Sequence, residues 1–220
     1  VFNRLSLPRI VPFVLYLAFL AIGDALASAG WSADQLRYLY VIKTGVVLAA
    51  LYGYRRHYTE LLPVHLPARQ AALAVLVGLL VFVLWITLTV SWMTIGTSTG
   101  YDPRVNGAID WPLALIRAAG AALVVPVMEE LFWRSFLLRW LQRQDFLQVN
   151  PAHVKITAII VTVILFGIEH QLWLAGMVAG AAYTGLYMRS KSLWSPILAH
   201  AVTNGTLAIW VLLTGQWAFW

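Results

Sequence analysis

The sequence predicts an all-α fold, a polytopic transmembrane bundle of about seven spans, and three observations carry that reading. The 220 residues are 61% hydrophobic and only 11% charged, against about a quarter charged in a soluble domain, and the mean hydropathy is +0.77. Apolar runs long enough to cross about 30 Å of hydrocarbon, roughly 20 residues each, recur along the whole chain. Basic residues fall in short clusters between those runs, alternating with basic-poor connections. A chain so apolar has too little polar surface to face water, so its exterior solvent is lipid.

The expected spans are roughly 10–27, 36–54, 71–92, 112–140, 156–170, 172–189 and 195–213. The first lacks a small-residue cleavage site and is expected to be retained as a helix. The fifth is short, and Gly167, Glu169 and His170 interrupt its boundary with the sixth, which suggests a tight hairpin or a broken helix. Arg4 and Arg9 precede the first span, and Arg55, Arg56 and Arg69 separate the second from the third. Arg139, Arg143 and Lys155 follow the fourth, and Arg189 and Lys191 follow the sixth. The alternate side carries only Arg37 and Arg104, beside Asp34, Asp102 and Asp110. The positive-inside rule then places the N-terminus in the cytoplasm and the C-terminus outside. Residues 1–220 read as one integral membrane domain, with no internal repeat.

Composition also excludes functions. The absence of Cys removes disulfides, thiolate zinc sites and cysteine nucleophiles. A net charge of +6 would suit nucleic acid, but the charges are distributed as a topology signal, so no nucleic-acid partner is expected. Eleven Trp and nine Tyr suit the membrane interface and packing between helices.

Ionisable groups inside a membrane cost about 2.5–3.5 kcal/mol each on insertion scales, so their presence points to function. The densest cluster is Glu129, Glu130 and Arg134 in the fourth span. Glu130 and Arg134, four apart, share a helix face and suit an ion pair. Glu129 is rotated from Glu130 by about 100° and is free to face a cavity. Phe166 and His170 lie one turn apart near the end of the fifth span. His200 and Asn204, also four apart, share a face of the last span and could aim two side chains at one substrate oxygen. Each cluster alone also reads as structure: a charge cluster, a core histidine, interhelical hydrogen bonding. Three clusters on three spans, each offsetting the burial of the others, read jointly as a site.

Glu129-Glu130-x-x-x-Arg134, Phe166-x-x-x-His170 and His200-x-x-x-Asn204, in that order on successive apolar segments, resemble the CAAX-protease and bacteriocin-processing family of intramembrane proteases, related to the endopeptidase that trims prenylated CAAX proteins. The resemblance covers roughly 112–213; the first three spans carry no signature of it. It implies an intramembrane endopeptidase that hydrolyses a peptide bond in a membrane-associated or lipid-modified protein or peptide within the bilayer. Glu129 and His170 would activate water, His200 and Asn204 would stabilise the oxyanion, and Glu130, Arg134 and Phe166 would support them. Losing one oxyanion donor typically costs about 10²–10³ in kcat. The resemblance favours a mechanism without cofactor. The alternative is zinc or another divalent metal held by Glu129, His170 and His200, a two-histidine, one-carboxylate set, although H-E-x-x-H is absent. A prokaryotic plasma membrane is the expected location. The alternative function is a non-catalytic membrane immunity, chaperone or scaffold protein of the same fold, and a third is a transporter using Glu129 and the histidines as a proton relay.

Other motifs lead elsewhere. Gly96 to Gly100 fits G-x-S-x-G with Ser98 at the nucleophile position, but that motif needs a strand-to-helix elbow in an α/β sheet. Tyr101-Asp102 and Gly23-Asp24 occur in the wrong order for an aspartyl protease. Gly176-x-x-x-Gly180 is expected to be a close-packing face within the bundle. The Asn204-Gly-Thr206 sequon lies inside a span, and Lys43 is expected to snorkel to the outer interface. Glu169 is expected to point away from the site.

Overall fold

The computed structural model describes residues 4–96 and 100–220, so Ser98 lies outside the described residues. The described residues form seven helices in the expected order: α1 (Leu7–Ser28), α2 (Ala33–Gly53), α3 (Ala68–Thr87), α4 (Trp111–Trp140), α5 (Ile156–Ile168), α6 (Trp173–Ser190) and α7 (Trp194–Thr214). The protein is an all-α membrane helix bundle. The only sheet among the described residues is a two-residue antiparallel pair, β1 (Arg104–Val105) with β2 (Ala108–Ile109), between α3 and α4.

Five helices, α1 to α4 and α7, are long and apolar enough to cross a membrane. The other two explain the awkward boundary near residue 170. α5 has 13 residues, about 20 Å at 1.5 Å each, and stops before a break that carries His170. α6 has 18 residues rich in Gly, Ala and Tyr, which packs well between helices but is less apolar than its neighbours.

Local chemistry sets the helix starts. Ser32 and Gln35 form a reciprocal capping box on α2, at 3.3 and 2.9 Å, and Asp110 caps α4 through the Leu113 N–H at 3.1 Å. α4 is not uniform: residues Gly120–Val124 and Leu131–Leu137 are π-helical, with an α-helical stretch Val125–Glu130 between them. Pro126 lies just past the first widened turn, where it has no N–H to return and its ring crowds the preceding carbonyls.

Packing runs chiefly α3 on α7, α5 on α6 and α1 on α2. The hairpin α5–α6 depends on glycine: a Cβ on Gly176 would stand 3.0 Å from the Gly167 Cα, and one on Gly180 would stand 3.2 Å from the Phe166 ring. The Gly176-x-x-x-Gly180 face is therefore used inside the bundle, as expected.

Burial is inverted relative to a water-soluble protein. Leu80, Leu123, Ile209 and Leu213 face outward, whereas Arg9, Arg37, Lys43, Glu129, Glu130, Arg134, Arg139 and His200 are buried. Lys43 does not snorkel. It is 5% exposed, with Nζ 3.9 Å from the Tyr16 ring centroid and 5.0 Å from that of Tyr40, because aromatic faces can hold a cation in place of water.

A second polar tie fastens the opposite end. Glu60, in the α2–α3 connection, accepts from Arg9 Nε of α1 at 2.7 Å and from the Ser135 hydroxyl of α4. Arg139 stands 4.0 Å from the same carboxylate and donates to the Ser135 carbonyl at 2.7 Å. Burial alone would raise the Glu60 pKa, but Arg9 and the Ser135 hydroxyl hold it below the ordinary carboxylate value. A depressed folded-state pKa contributes stability above the ordinary value, lost as pH falls through the folded one. Glu60→Ala, which leaves two buried arginines without their carboxylate, is expected to cost about 3–5 kcal/mol. Thermal unfolding in detergent should show that loss at neutral pH, with the gap to the wild type narrowing on acidification.

Candidate active site

Two of the helices, α4 and α7, meet at one buried carboxylate. Glu130 Oε1 accepts from Arg134 Nη1 at 3.1 Å and from His200 Nδ1 at 3.0 Å, and both Glu130 and Arg134 are 0% exposed. Arg134 Nη2 donates onward to the Gly180 carbonyl of α6 at 3.3 Å. Its guanidinium lies 4.3 Å from the centroid of the Phe166 ring. The i,i+4 pair expected from sequence is thus present, and it joins α4 to α7, α6 and α5.

Glu129 points the other way. It lines a cavity of about 160 Å³ together with His170, His200, Asn204, Phe166 and Tyr183. Its Oε2 is buried with no partner among the described residues. Glu130 is absent from that lining. The roughly 100° between adjacent helical residues therefore divides one carboxylate, held by cations, from another left to face the cavity.

Hydrogen bonds define the histidines. His170 Nδ1 meets the Phe166 carbonyl at 2.7 Å; a carbonyl only accepts, so Nδ1 carries the proton and Nε2 of the neutral ring has a free lone pair. Trp85 of α3 sits edge-on to this ring at 5.2 Å. His200 stacks on Tyr183 at 5.0 Å with 22° between the planes, and the Tyr183 hydroxyl donates to Thr203 at 2.7 Å. Because His200 Nδ1 is engaged by Glu130, its Nε2 is the nitrogen left for other partners.

Asn204 is placed less simply. Its Nδ2 donates to the Ala121 carbonyl at 2.8 Å, in the π-helical turn before Pro126, where the missing N–H leaves carbonyl capacity. One N–H of the amide remains for any other acceptor.

The expected residues Glu129, His170, His200, Asn204 and Phe166 thus line one cavity, with Glu130 and Arg134 behind it. Sequence reading missed the contributions of the first and third helices: Tyr16 of α1 and Trp85 of α3 also line the cavity. No signal in those spans marks them. Glu169, expected to point away from the site, is not among the residues that line the cavity, and its Oε2 is buried without a partner among the described residues.

Among the described residues no group of three or more His, Cys, Asp or Glu stands close enough together to hold an ion, and each histidine engages Nδ1 and leaves Nε2 open.

Residues 111–206 match the family model described as type II CAAX prenyl endopeptidase Rce1-like. The match begins at the first residue of α4 and ends two residues beyond Asn204, so it contains every one of these motif residues. That segment is similar to this family of CAAX prenyl endopeptidases, and the match supports an intramembrane protease of the CAAX type in general. Comparison with curated proteins and with solved structures gives no match.

The buried pair makes a stability prediction. Arg134→Ala leaves Glu130 charged, fully buried and short of one partner, and is expected to cost about 3–5 kcal/mol. An unchanged unfolding temperature in detergent would remove the pair from the account.

Proposed function

We propose that the protein is a metal-independent intramembrane endopeptidase acting on a membrane-associated or lipid-modified protein, with Glu129 as general base. The observation that carries this reading is the unpartnered, buried Glu129 carboxylate oxygen lining the same cavity as the His170 and His200 rings. A base needs an unoccupied lone pair in reach of water and a setting that keeps water activity low.

In this mechanism a water sits between Glu129 and His170 Nε2, donating to both. Glu129 takes one proton as the water oxygen attacks the peptide carbonyl carbon. The carbonyl π electrons move onto oxygen, and the tetrahedral oxyanion forms. His200 and the remaining Asn204 N–H donate to that oxygen. The tautomer sets a condition: with Nδ1–H bonded to the Glu130 carboxylate, Nε2 donates only when the ring is an imidazolium. Glu129 then returns its proton to the amide nitrogen, the C–N bond breaks, and a carboxylic acid and an amine leave. Fixed donors in a water-poor site stabilise such a charge far better than donors in water.

The arginine-rich ends of the spans support an N-terminus in the cytoplasm and a C-terminus outside, and a prokaryotic plasma membrane is the location proposed.

The test does not require an identified substrate. Host membranes with the wild-type protein and with Glu129→Gln, a near-isosteric change, are compared by mass spectrometry of protein termini. New termini present with the wild type and missing with the variant are expected, unchanged by chelator treatment, while the variant inserts and unfolds like the wild type. Identical sets of termini from two folded proteins would favour the non-catalytic immunity, chaperone or scaffold role, and normal turnover by Glu129→Gln would remove the proposed base.

A further inference from the structure

We propose that the groove between α3, α6 and α7 at the arginine-rich end of the bundle binds the headgroup of an anionic phospholipid. The groove encloses about 610 Å³ and shares no lining residue with the cavity described above. Arg69, the second residue of α3, and Arg189, the last but one of α6, both line it. Neither makes an ion pair, a hydrogen bond or a ring contact among the described residues, and no acidic residue lines the groove. Two cations converge without a protein anion.

The groove supplies neutral donors as well. Ser195 is 1% exposed and lines the groove. α3 begins after Pro67 with no side-chain cap on its first turn, and uncapped N–H groups at a helix start favour an anion. A phosphate needs such a combination of charge and hydrogen-bond donors.

The occupant is a lipid because of what lies deeper. Leu73 and Leu76 continue the groove wall one and two turns along α3, and Leu76 is 65% exposed. On α6, one turn in from Arg189, Leu186 also lines the groove. An acyl chain has an apolar path there, directly below the charged mouth, whereas free phosphate would use only the mouth. Basic pockets between helix ends commonly hold anionic headgroups in this way.

Native mass spectrometry of the full chain in detergent tests this with dioleoylphosphatidylglycerol and dioleoylphosphatidylcholine as probes. Preferential retention of one phosphatidylglycerol is expected, with affinity falling roughly 30-fold in the double variant Arg69→Gln/Arg189→Gln. The pair Arg55→Gln/Arg56→Gln, an equal charge loss at the same end but outside the groove, should bind like the wild type. Equal retention of the two lipids by the wild-type protein would overturn the proposal whether or not any variant folds. So would undiminished binding by the Arg69/Arg189 variant, or stabilisation by inorganic phosphate as large as that given by the lipid.

Discussion

A single buried carboxylate organises the functional half of this protein. Glu130 is 0% exposed and accepts from Arg134 and His200 at 3.1 and 3.0 Å. Shielded from bulk solvent, this charge persists only if both partners are delivered. α4 and α7 must therefore meet in one register. Arg134 extends the constraint to the Gly180 carbonyl and the Phe166 ring, so α5 and α6 are placed by the same network. Such a network contributes less to raw stability than its Coulomb attraction suggests, because burying the ions is costly. Its contribution here is to select one arrangement of four helices whose apolar surfaces alone would pack in several.

The irregularity of α4 belongs to the same design. Glu129 and Glu130 end a short α-helical stretch between two π-helical ones, and π turns commonly mark functional positions. The first widened turn precedes Pro126 and places the Ala121 carbonyl against Asn204 of α7. The second carries Arg134 within reach of Glu130. Unusual backbone at membrane depth is tolerated where protein satisfies its polar groups, and the walls of this cavity do so.

Much of this was legible from residue order. Apolar length located all seven helices, and charge asymmetry separated the two ends of the bundle. The i,i+4 spacings of Glu130 with Arg134 and of His200 with Asn204 place side chains on one face whatever the tertiary structure does. Adjacent Glu129 and Glu130 must diverge for the same reason. Contacts that depend on packing were not legible. Lys43 rests on the rings of Tyr16 and Tyr40, and no spacing links residues on separate helices. Asn204 answers a backbone carbonyl, which has no side chain to mark it.

The account depends on Glu130 acting as organiser and Glu129 as reactant, and Glu130→Gln tests that division most directly when its unfolding temperature and its generation of new protein termini are measured together. The amide keeps the shape but loses the charge that Arg134 and His200 share. The account predicts a lower unfolding temperature accompanied by loss of cleavage, in contrast to Glu129→Gln, whose defect is confined to cleavage. A Glu130→Gln protein that unfolds and cleaves like the wild type would contradict it.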